Sequence, residues 1–256
     1  MYMPKHEYKL YDLLNVVDHT YLKPYATRER IGVLIEEARS WGTRAVCIQP
    51  LWVGWANKYI RSNEIDLKLD AVLDFPFGVL TTDQRVSIIK RMAGLVDEVD
   101  IVVQIGYVRS GMYENVRRDL HEVVTSAHDS GILIKVIAED AYTTRAEKTK
   151  LYEIICESGA DFIKTSTGFA EREFATSIGN GGTGALVENV RLMDETARRL
   201  GSKIGIKAAG GIRSYSNASE LLEAMNRPLD PSKVRLGMSE TGSLVREMIE
   251  KQQNKA

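Results

Sequence analysis

The feature of this sequence that most constrains its fold is a regular alternation of short, β-branched apolar runs with segments whose apolar residues recur at helical spacing. Each run and its segment together take roughly 25 to 35 residues, which is the spacing of βα units. One such segment places Ile31, Leu34 and Ala38 on a single helix face, as a helix that covers a sheet requires. The predicted strands are Asn15–His19, Arg44–Ile48, Lys68–Phe75, Glu98–Gln104, Leu133–Ala138, Asp161–Thr165, Lys203–Ala208 and Lys233–Gly237.

Eight such repeats in 256 residues favour an α/β fold, a single (β/α)8 TIM barrel with a short N-terminal extension ahead of its first strand. An open, doubly wound sheet is the alternative. No linker interrupts the series, so residues 1–256 are expected to form one domain.

Charge and composition exclude several classes of function. The 34 Lys and Arg residues nearly balance 35 Asp and Glu residues, and no block of like charge stands out, which disfavours a nucleic-acid or membrane-surface role. The longest uncharged stretch, Phe174–Val187, is too short and too polar to span a bilayer. With no signal-peptide pattern at the start and only Cys47 and Cys156 as cysteines, a cytoplasmic location is expected.

Single charges interrupt four consecutive predicted strands that should be apolar because helices cover them. Taken alone, any one of these lysines is more simply explained by a side chain whose tip reaches solvent. Because burying an ion without partners costs several kcal/mol, four such positions on adjacent strands instead predict one shared cluster in the barrel mouth. The four residues are Asp100, Lys135, Lys164 and Lys207.

Two of these lysines, Lys164 and Lys207, lie near the carboxyl ends of their strands, where catalysis gathers in this fold. Two ammonium groups about 4 Å apart at an effective dielectric near 20 repel each other by roughly 4 kcal/mol. That repulsion would bring the pKa of one of them toward neutrality. An uncharged lysine can add to a carbonyl carbon and form an iminium ion, with Asp100 and Lys135 as proton shuttles.

A metal-dependent reaction is poorly supported by the histidines, which show neither an HExxH motif nor a compact ligand set. His121 and His128 are expected on a helix surface, whereas His19 ends the first strand and is equally compatible with the barrel mouth and with an ordinary polar strand end. No metal and no cofactor are therefore expected.

Glycine-rich turns follow the seventh and eighth predicted strands, at Gly210-Gly211 and at Gly237-Met-Ser239. Barrels of this kind often hold a phosphate after these two strands, where backbone N–H groups point at the ligand. Either glycine-rich turn taken alone is equally explained as an ordinary turn. The position of both turns after the seventh and eighth strands favours phosphate binding.

The sequence resembles the deoxyribose-phosphate aldolase family, whose members are class I aldolases with a TIM-barrel fold. The resemblance extends over almost the whole chain. The stretch around Lys164 is the most specific. The matching stretches are Asp18–Pro24, Val46–Pro50, Asp74–Gly78, Asp97–Val102, Lys135–Glu139, Asp161–Phe169, Lys207–Arg213 and Arg235–Ser239.

The resemblance implies reversible cleavage of 2-deoxy-D-ribose 5-phosphate to D-glyceraldehyde 3-phosphate and acetaldehyde. By resemblance, Lys164 forms the Schiff base, Lys207 lowers its pKa, and Asp100 is the acid/base carboxylate. Lys135 and Asp18 match supporting polar residues. Cys47 matches a position near the substrate, although a small buried thiol is the simpler interpretation. The positions that match the phosphate site are Gly168, Gly210, Gly211, Gly237 and Ser239.

Three departures from the family pattern bear on these expectations. An insertion, Ala170–Gly184, borders the phosphate site and is a lid, an oligomer contact or, by default, a tolerated surface loop. Glu240 stands where relatives have a small residue, and its charge should repel a phosphate unless it points away. The tail, Lys251–Ala256, lacks the Tyr that some relatives use for proton transfer.

Two other functions stay open at this point. One is a related Schiff-base aldolase with a different or unphosphorylated aldehyde acceptor, and the other is a non-catalytic barrel that binds sugar phosphates. A homo-oligomer is also expected. Trp52, Trp55 and Tyr59 share one helix face, for which core packing is the first interpretation and a subunit contact the second.

Overall fold

Eight parallel strands in chain order form a closed barrel, in which the last strand pairs with the first. The structure is a computed structural model and describes residues 7–253. The predicted TIM barrel is confirmed, and the open-sheet alternative is wrong. The strands β1 to β8 are Val17–Tyr21, Ala45–Ile48, Lys68–Leu73, Glu98–Val102, Leu133–Ile137, Phe162–Lys164, Gly205–Ala209 and Val234–Met238.

Helices alternate with the strands and begin and end where local sequence signals place them. In the helix Arg28–Trp41, the Thr27 side chain accepts a hydrogen bond from the N–H of Arg30, and Gly42 ends the helix with a φ of 70°. None of the described helices is long and apolar enough to cross a membrane. The helices α1 to α11 are Leu10–Leu14, Arg28–Trp41, Val53–Ser62, Thr82–Met92, Ile105–Arg109, Tyr113–Asp129, Arg145–Glu157, Arg172–Ser177, Val187–Arg199, Tyr215–Met225 and Thr241–Gln253.

The ends of the chain differ in detail from the prediction. The strand β1 starts at Val17 rather than Asn15, because the N–H groups of Asn15 and Val16 close the short helix α1 by donating to Tyr11 and Leu13. Residues 1–6 of the predicted N-terminal extension and residues 254–256 of the tail lie outside the described part of the chain.

The hydrophobic core lies between the barrel and its helices. For example, Ile31 and Leu34 of α2 are fully buried and belong to the same apolar cluster as Val46 of β2. The aromatic face of α3 joins this layer, since Trp55 and Tyr59 stack with ring centroids 5.1 Å apart and are packed against the core. The observed packing agrees with the first interpretation of that face.

Candidate active site

The inside of the barrel holds four carboxylates and four cations, which we call the interior charge cluster. Its members come from β1, β3, β4, β5, β6, β7 and β8, and none is more than 3% exposed. Equal numbers of the two signs make the cluster neutral when all its groups are ionised, which offsets the cost of burying each charge. The cluster consists of Asp18, Asp70, Glu98, Asp100, Lys135, Lys164, Lys207 and Arg235.

Asp100 lies at the centre of the three predicted lysines. Its Oδ2 accepts hydrogen bonds from Lys164 Nζ at 2.6 Å and from Lys207 Nζ at 2.7 Å, and its Oδ1 accepts one from Lys135 Nζ at 2.9 Å. Lys164 and Lys207 are also direct partners in the register of β6 and β7. Because Lys164 Nζ and Lys207 Nζ both bond the same Asp100 oxygen, the two nitrogens lie close together.

The shared carboxylate changes the electrostatics expected from the sequence, in which the two ammonium groups repel each other directly. Burial raises the pKa of Asp100, but Lys135, Lys164 and Lys207 outweigh it and hold that pKa well below its usual range. Burial lowers the pKa of Lys207, but Asp100 and Asp18 outweigh it and raise that pKa above its ordinary value. Lys207 is therefore a lasting cation beside Lys164.

The ammonium group of Lys135 is surrounded by even more carboxylates than that of Lys207. Its Nζ lies 2.7 Å from Glu98, 2.9 Å from Asp70 and 3.6 Å from Asp18, in addition to its bond with Asp100. Although burial lowers its pKa, these carboxylates together raise that pKa well above the usual value. An ammonium held in this way is better suited to fixing carboxylates than to the proton shuttling suggested by the sequence.

Three cluster members were missed as site residues in the sequence analysis, namely Asp70, Glu98 and Arg235. The guanidinium of Arg235 donates to Glu98 Oε1 at 2.8 Å and also bonds Asp18. The signal was present, because each is a charge within an otherwise apolar strand. The same criterion identifies Asp70 on β3 and Arg235 on β8, and Glu98 is a second charge on β4 beside Asp100.

A cavity of about 470 Å³ opens above the cluster at the carboxyl ends of the strands. Lys164, the last residue of β6, is the cluster member that lines it. The predicted phosphate residues all line the same cavity, together with three basic side chains and Glu240, which is exposed. These lining residues are Lys164, Gly168, Gly210, Gly211, Gly237, Ser239, Lys23, Arg30, Arg213 and Glu240.

Backbone segments from three loops meet beside this cavity at glycines. Gly210 has a φ of 93°, and a Cβ there would lie 3.1 Å from Gly184 Cα and 3.4 Å from Gly168 Cα. The carbonyl of Gly210 also accepts a hydrogen bond from the N–H of Ala185 at 3.0 Å. Glycine is needed because a side chain would push the loops apart.

The insertion Ala170–Gly184 packs against the turn that follows β5. The Asn180 amide donates to the carbonyls of Asp140, Ala141 and Thr143, at 3.2, 3.0 and 3.1 Å. Its helix α8 contributes Phe174, whose ring meets that of Tyr142 edge-on at 5.5 Å. These contacts hold the insertion in place next to the cavity, and a role as lid or oligomer contact stays a prediction.

Cys47 and His19 lie away from the cavity lining. Cys47 is fully buried, and burial followed by the charges of Asp70 and Asp100 raises the pKa of its thiol well above the usual value. The ring of His19 bonds Thr241 Oγ1 at 2.9 Å and Glu37 at 3.1 Å on the helix side of β1. Burial lowers the pKa of His19, and its position is that of a polar strand residue.

Two groups of potential metal ligands occur among the described residues, and both lie inside the cluster. They are Cys47 with Asp70 and Asp100, and Asp18 with Asp70 and Glu98, each with ligand atoms within 4.8 Å of one another. Both groups include Asp70, whose Oδ2 already binds the Lys135 and Lys207 ammonium groups. A metal cation would be repelled by these two positive charges.

A closed barrel whose mouth cavity ends on a buried lysine defines a TIM-barrel enzyme with a lysine–carboxylate site. No family model matches the chain. A deoxyribose-phosphate aldolase of Thermoplasma volcanium is 46% identical over 242 residues, which cover 94% of this chain and 96% of that protein. The chain belongs to the deoxyribose-phosphate aldolase family and is a lyase.

Solved structures agree with this assignment. A crystal structure assigned to a deoxyribose-phosphate aldolase of Coccidioides immitis has a TM-score of 0.81 and 30% identity, covering 97% of this chain and 88% of that chain. A tetrameric deoxyribose phosphate aldolase of Aeropyrum pernix has a TM-score of 0.76 and 24% identity, covering 97% and 94%, and supports the fold.

Proposed function

We propose that the chain reversibly cleaves 2-deoxy-D-ribose 5-phosphate to D-glyceraldehyde 3-phosphate and acetaldehyde through a Schiff base on Lys164. The observation that carries this proposal is the place of Lys164, which contacts Asp100 inside the barrel and also lines the cavity. The other two clustered lysines do not line it. A carbonyl in the cavity therefore reaches the Lys164 amine first.

The cluster residues take different parts in this proposal. Asp100, bonded to both Lys164 and Lys207, accepts and returns the proton that the amine must lose and the leaving oxygen must gain. The Lys207 ammonium favours the uncharged form of Lys164 by repulsion. Lys135 and Asp18 keep these groups in place.

The phosphate would lie against the glycines of the loops after β6, β7 and β8, which let backbone N–H groups approach it closely. Lys23, Arg30 and Arg213 add positive charge to the same cavity. Glu240 adds the opposite charge, and it is the observation that favours the second candidate, an aldolase whose acceptor aldehyde is unphosphorylated.

The test traps the intermediate. The protein is incubated with acetaldehyde and EDTA, reduced with borohydride, and digested for peptide mass spectrometry. We expect an ethyl adduct on Lys164 in the wild type and in Lys23→Met, which removes another lysine lining the same cavity. In Lys164→Met, which keeps a similar side-chain volume, both the adduct and turnover should vanish while the circular dichroism spectrum is kept.

A wild type that binds deoxyribose 5-phosphate but forms no adduct would contradict the proposal and favour the non-catalytic binding barrel. An adduct that needs a metal, and so disappears in EDTA, would also contradict it.

We further propose a homo-oligomer, a cytoplasmic location and one domain over residues 1–256. The tetrameric relative from Aeropyrum pernix supports the first, and two buried, unpaired cysteines suit a reducing compartment. Light scattering after gel filtration tests the assembly, and limited proteolysis tests the single domain.

A further inference from the structure

Asp70 is a buried carboxyl with no role in the family assignment above. It lies in the middle of β3, is 0% exposed, and faces the interior of the barrel. Its Oδ2 accepts from Lys207 Nζ at 3.2 Å and lies 2.9 Å from Lys135 Nζ. Its Oδ1 has no hydrogen-bond partner among residues 7–253. One of its two oxygens is therefore free to take a proton.

A continuous chain of hydrogen bonds joins Lys164 to this carboxyl. Lys164 Nζ lies 2.6 Å from Asp100 Oδ2, which lies 2.7 Å from Lys207 Nζ, which in turn lies 3.2 Å from Asp70 Oδ2. Each link joins a donor to an acceptor, so a proton can be passed along by successive exchanges. No bulk water is required for the transfer.

We propose that Asp70 is a positioning residue that receives the proton of Lys164 through Asp100 and Lys207 and returns it during Schiff-base formation. The inference rests on the proposed function and adds to it the place where the proton is kept. It explains how an amine can be freed inside a buried cluster without changing the cluster's net charge.

The steps balance. Lys164 loses a proton to Asp100, Lys207 passes one to Asp70, and Asp100 restores Lys207, which leaves an amine at Lys164 and a neutral acid at Asp70. The amine nitrogen then bonds to the carbonyl carbon, the carbonyl π bond breaks, and one nitrogen proton moves to the oxygen. The C–O bond breaks as the proton from Asp70 returns along the chain, water leaves, and a positively charged iminium replaces the original ammonium.

The surroundings of Asp70 make it the cluster carboxyl that is easiest to protonate. Burial and the charge of Asp100 raise the pKa of Asp70 to about 6, against the lowering effect of Lys135 and Lys207. The pKa values of Asp18, Glu98 and Asp100 are instead held below their ordinary values. The titratable or charged side chains that face Asp70 are Asp18, Cys47, Glu98, Asp100, Lys135 and Lys207.

The consequence is a characteristic pH dependence. Above about pH 6 Asp70 is ionised at rest, so the state with the amine on Lys164 and the proton on Asp70 binds as many protons as the resting cluster, and its share does not change with pH. The rate follows this state, because the proton stored on Asp70 is needed for the loss of water. In Asp70→Asn, which has a similar shape but cannot hold the proton, the amine forms only by release to solvent. The rate of Schiff-base formation then rises with pH, by up to about tenfold for each unit.

The experiment measures the single-turnover rate of Schiff-base formation with acetaldehyde by rapid quench into cyanoborohydride, between about pH 6 and 8. We expect a flat profile for the wild type and a tenfold rise per unit for Asp70→Asn. Glu98→Gln is the matched control, because it removes one cluster carboxylate that is not part of the chain to Lys164. We expect its profile to stay flat, whatever its absolute rate.

Parallel profiles for the wild type and Asp70→Asn would overturn the proposal, and so would a rise in Glu98→Gln equal to that in Asp70→Asn. Asp70→Ser serves as a second variant if Asp70→Asn does not fold, and a tenfold rise per unit in the wild type itself is decisive against the idea. Failure of the proposed function is distinct, because then no adduct forms on Lys164 in any variant.

Discussion

At the scale of the residue, two lysines that face each other on neighbouring strands have different chemistry because their partners differ. Lys207 contacts Asp18 at 2.6 Å, Asp100 at 2.7 Å and Asp70 at 3.2 Å. Lys164 contacts Asp100 alone among the described carboxylates and lies on the cavity. Lys207 is therefore surrounded by carboxylates, whereas Lys164 is the lysine that a molecule in the cavity can reach.

Replacing Lys207 should slow the reaction by strengthening the hold of Lys164 on its proton. In Lys207→Met, Asp18, Asp70 and Asp100 lose a cation, and their uncompensated charge favours the ammonium form of Lys164. We expect kcat/KM at neutral pH to fall by roughly tenfold or more and the rate–pH profile to move to higher pH. Lys203→Met, at an exposed lysine just before β7, is the control. A profile unmoved by Lys207→Met would argue against electrostatic tuning.

Removing the negative charge of Glu240 should improve the use of a phosphorylated substrate. Glu240 and the neighbouring Ser239 are both exposed at the cavity, where a carboxylate and a phosphate would repel each other. In Glu240→Ser, we expect KM for deoxyribose 5-phosphate to fall by about two- to fivefold relative to KM for deoxyribose, as for a solvent-exposed pair worth up to about 1 kcal/mol. An unchanged ratio of the two KM values would show that this carboxylate does not oppose the phosphate.

Site residues could be predicted from the sequence where a charged residue interrupts an otherwise apolar strand. Asp100, Lys135, Lys164 and Lys207 were identified in this way. Their partnerships were not, because the shared position of two lysines on one Asp100 oxygen depends on side-chain directions inside the closed barrel.

At the scale of the element, three segments constrain one another's backbone positions. They are the loop after β6, the loop after β7 and the end of the insertion. A Cβ at Gly184 would lie 2.4 Å from the carbonyl oxygen of Gly210 and 2.9 Å from its carbonyl carbon. Neither atom can move without displacing the loop, since both are backbone. The insertion is thereby coupled to the predicted phosphate site.

Gly184→Ala should weaken phosphate binding and spare the lysine chemistry. The displaced Gly210 loop would misplace N–H groups near the phosphate, while Lys164 and Asp100 lie within β6 and β4, outside the loop itself. We expect KM for deoxyribose 5-phosphate to rise by about tenfold, the equivalent of roughly 1.4 kcal/mol, with kcat for unphosphorylated deoxyribose nearly unchanged. Gly181→Ala is the matched control, because its Cβ would meet no atom closer than 4.0 Å. Equal kinetics for the two variants would contradict the coupling.

Strand positions were predicted to within two residues because β-branched runs are a local signal. The short helices α1, α5 and α8 were not predicted, since each has only five or six residues and too little periodicity to detect. The strand β6 contains only Phe162–Lys164, three residues. The flanking Asp161 accepts the N–H of Ile134 with its side chain instead.

At the scale of the whole molecule, buried carboxyls make stability depend on pH. Burial raises the pKa of Asp70 and of Glu139 to about 6 and that of Asp140 to about 7. Each binds a proton more tightly when folded than when unfolded. Their stabilising contribution is complete below the unfolded pKa values near 4 and is lost as pH rises through the folded values. The lowered pKa of His19 makes stability rise with pH instead, but this is one group against three carboxyls.

We therefore expect the free energy of unfolding to fall between about pH 5 and pH 8. Asp140→Asn should reduce this fall by on the order of 1 kcal/mol for each unit of the pKa shift it removes. Urea unfolding at several pH values measures both effects. Asp161→Asn is the control, at a carboxyl that is only half-buried. A free energy that rises steadily over this range would contradict the prediction.

The order and spacing of residues along the chain specify the eightfold alternation of strands and helices and place isolated charges in strands that must be apolar. Both are local properties, set by the spacing of side chains along the backbone. The balance of these charges, and the lysine that reaches the cavity, become visible only in the folded barrel. Asp18 and Arg235 bond each other although 217 positions separate them, because closure brings β8 beside β1. Partnerships across such a distance depend on how the barrel closes, and no local pattern encodes them.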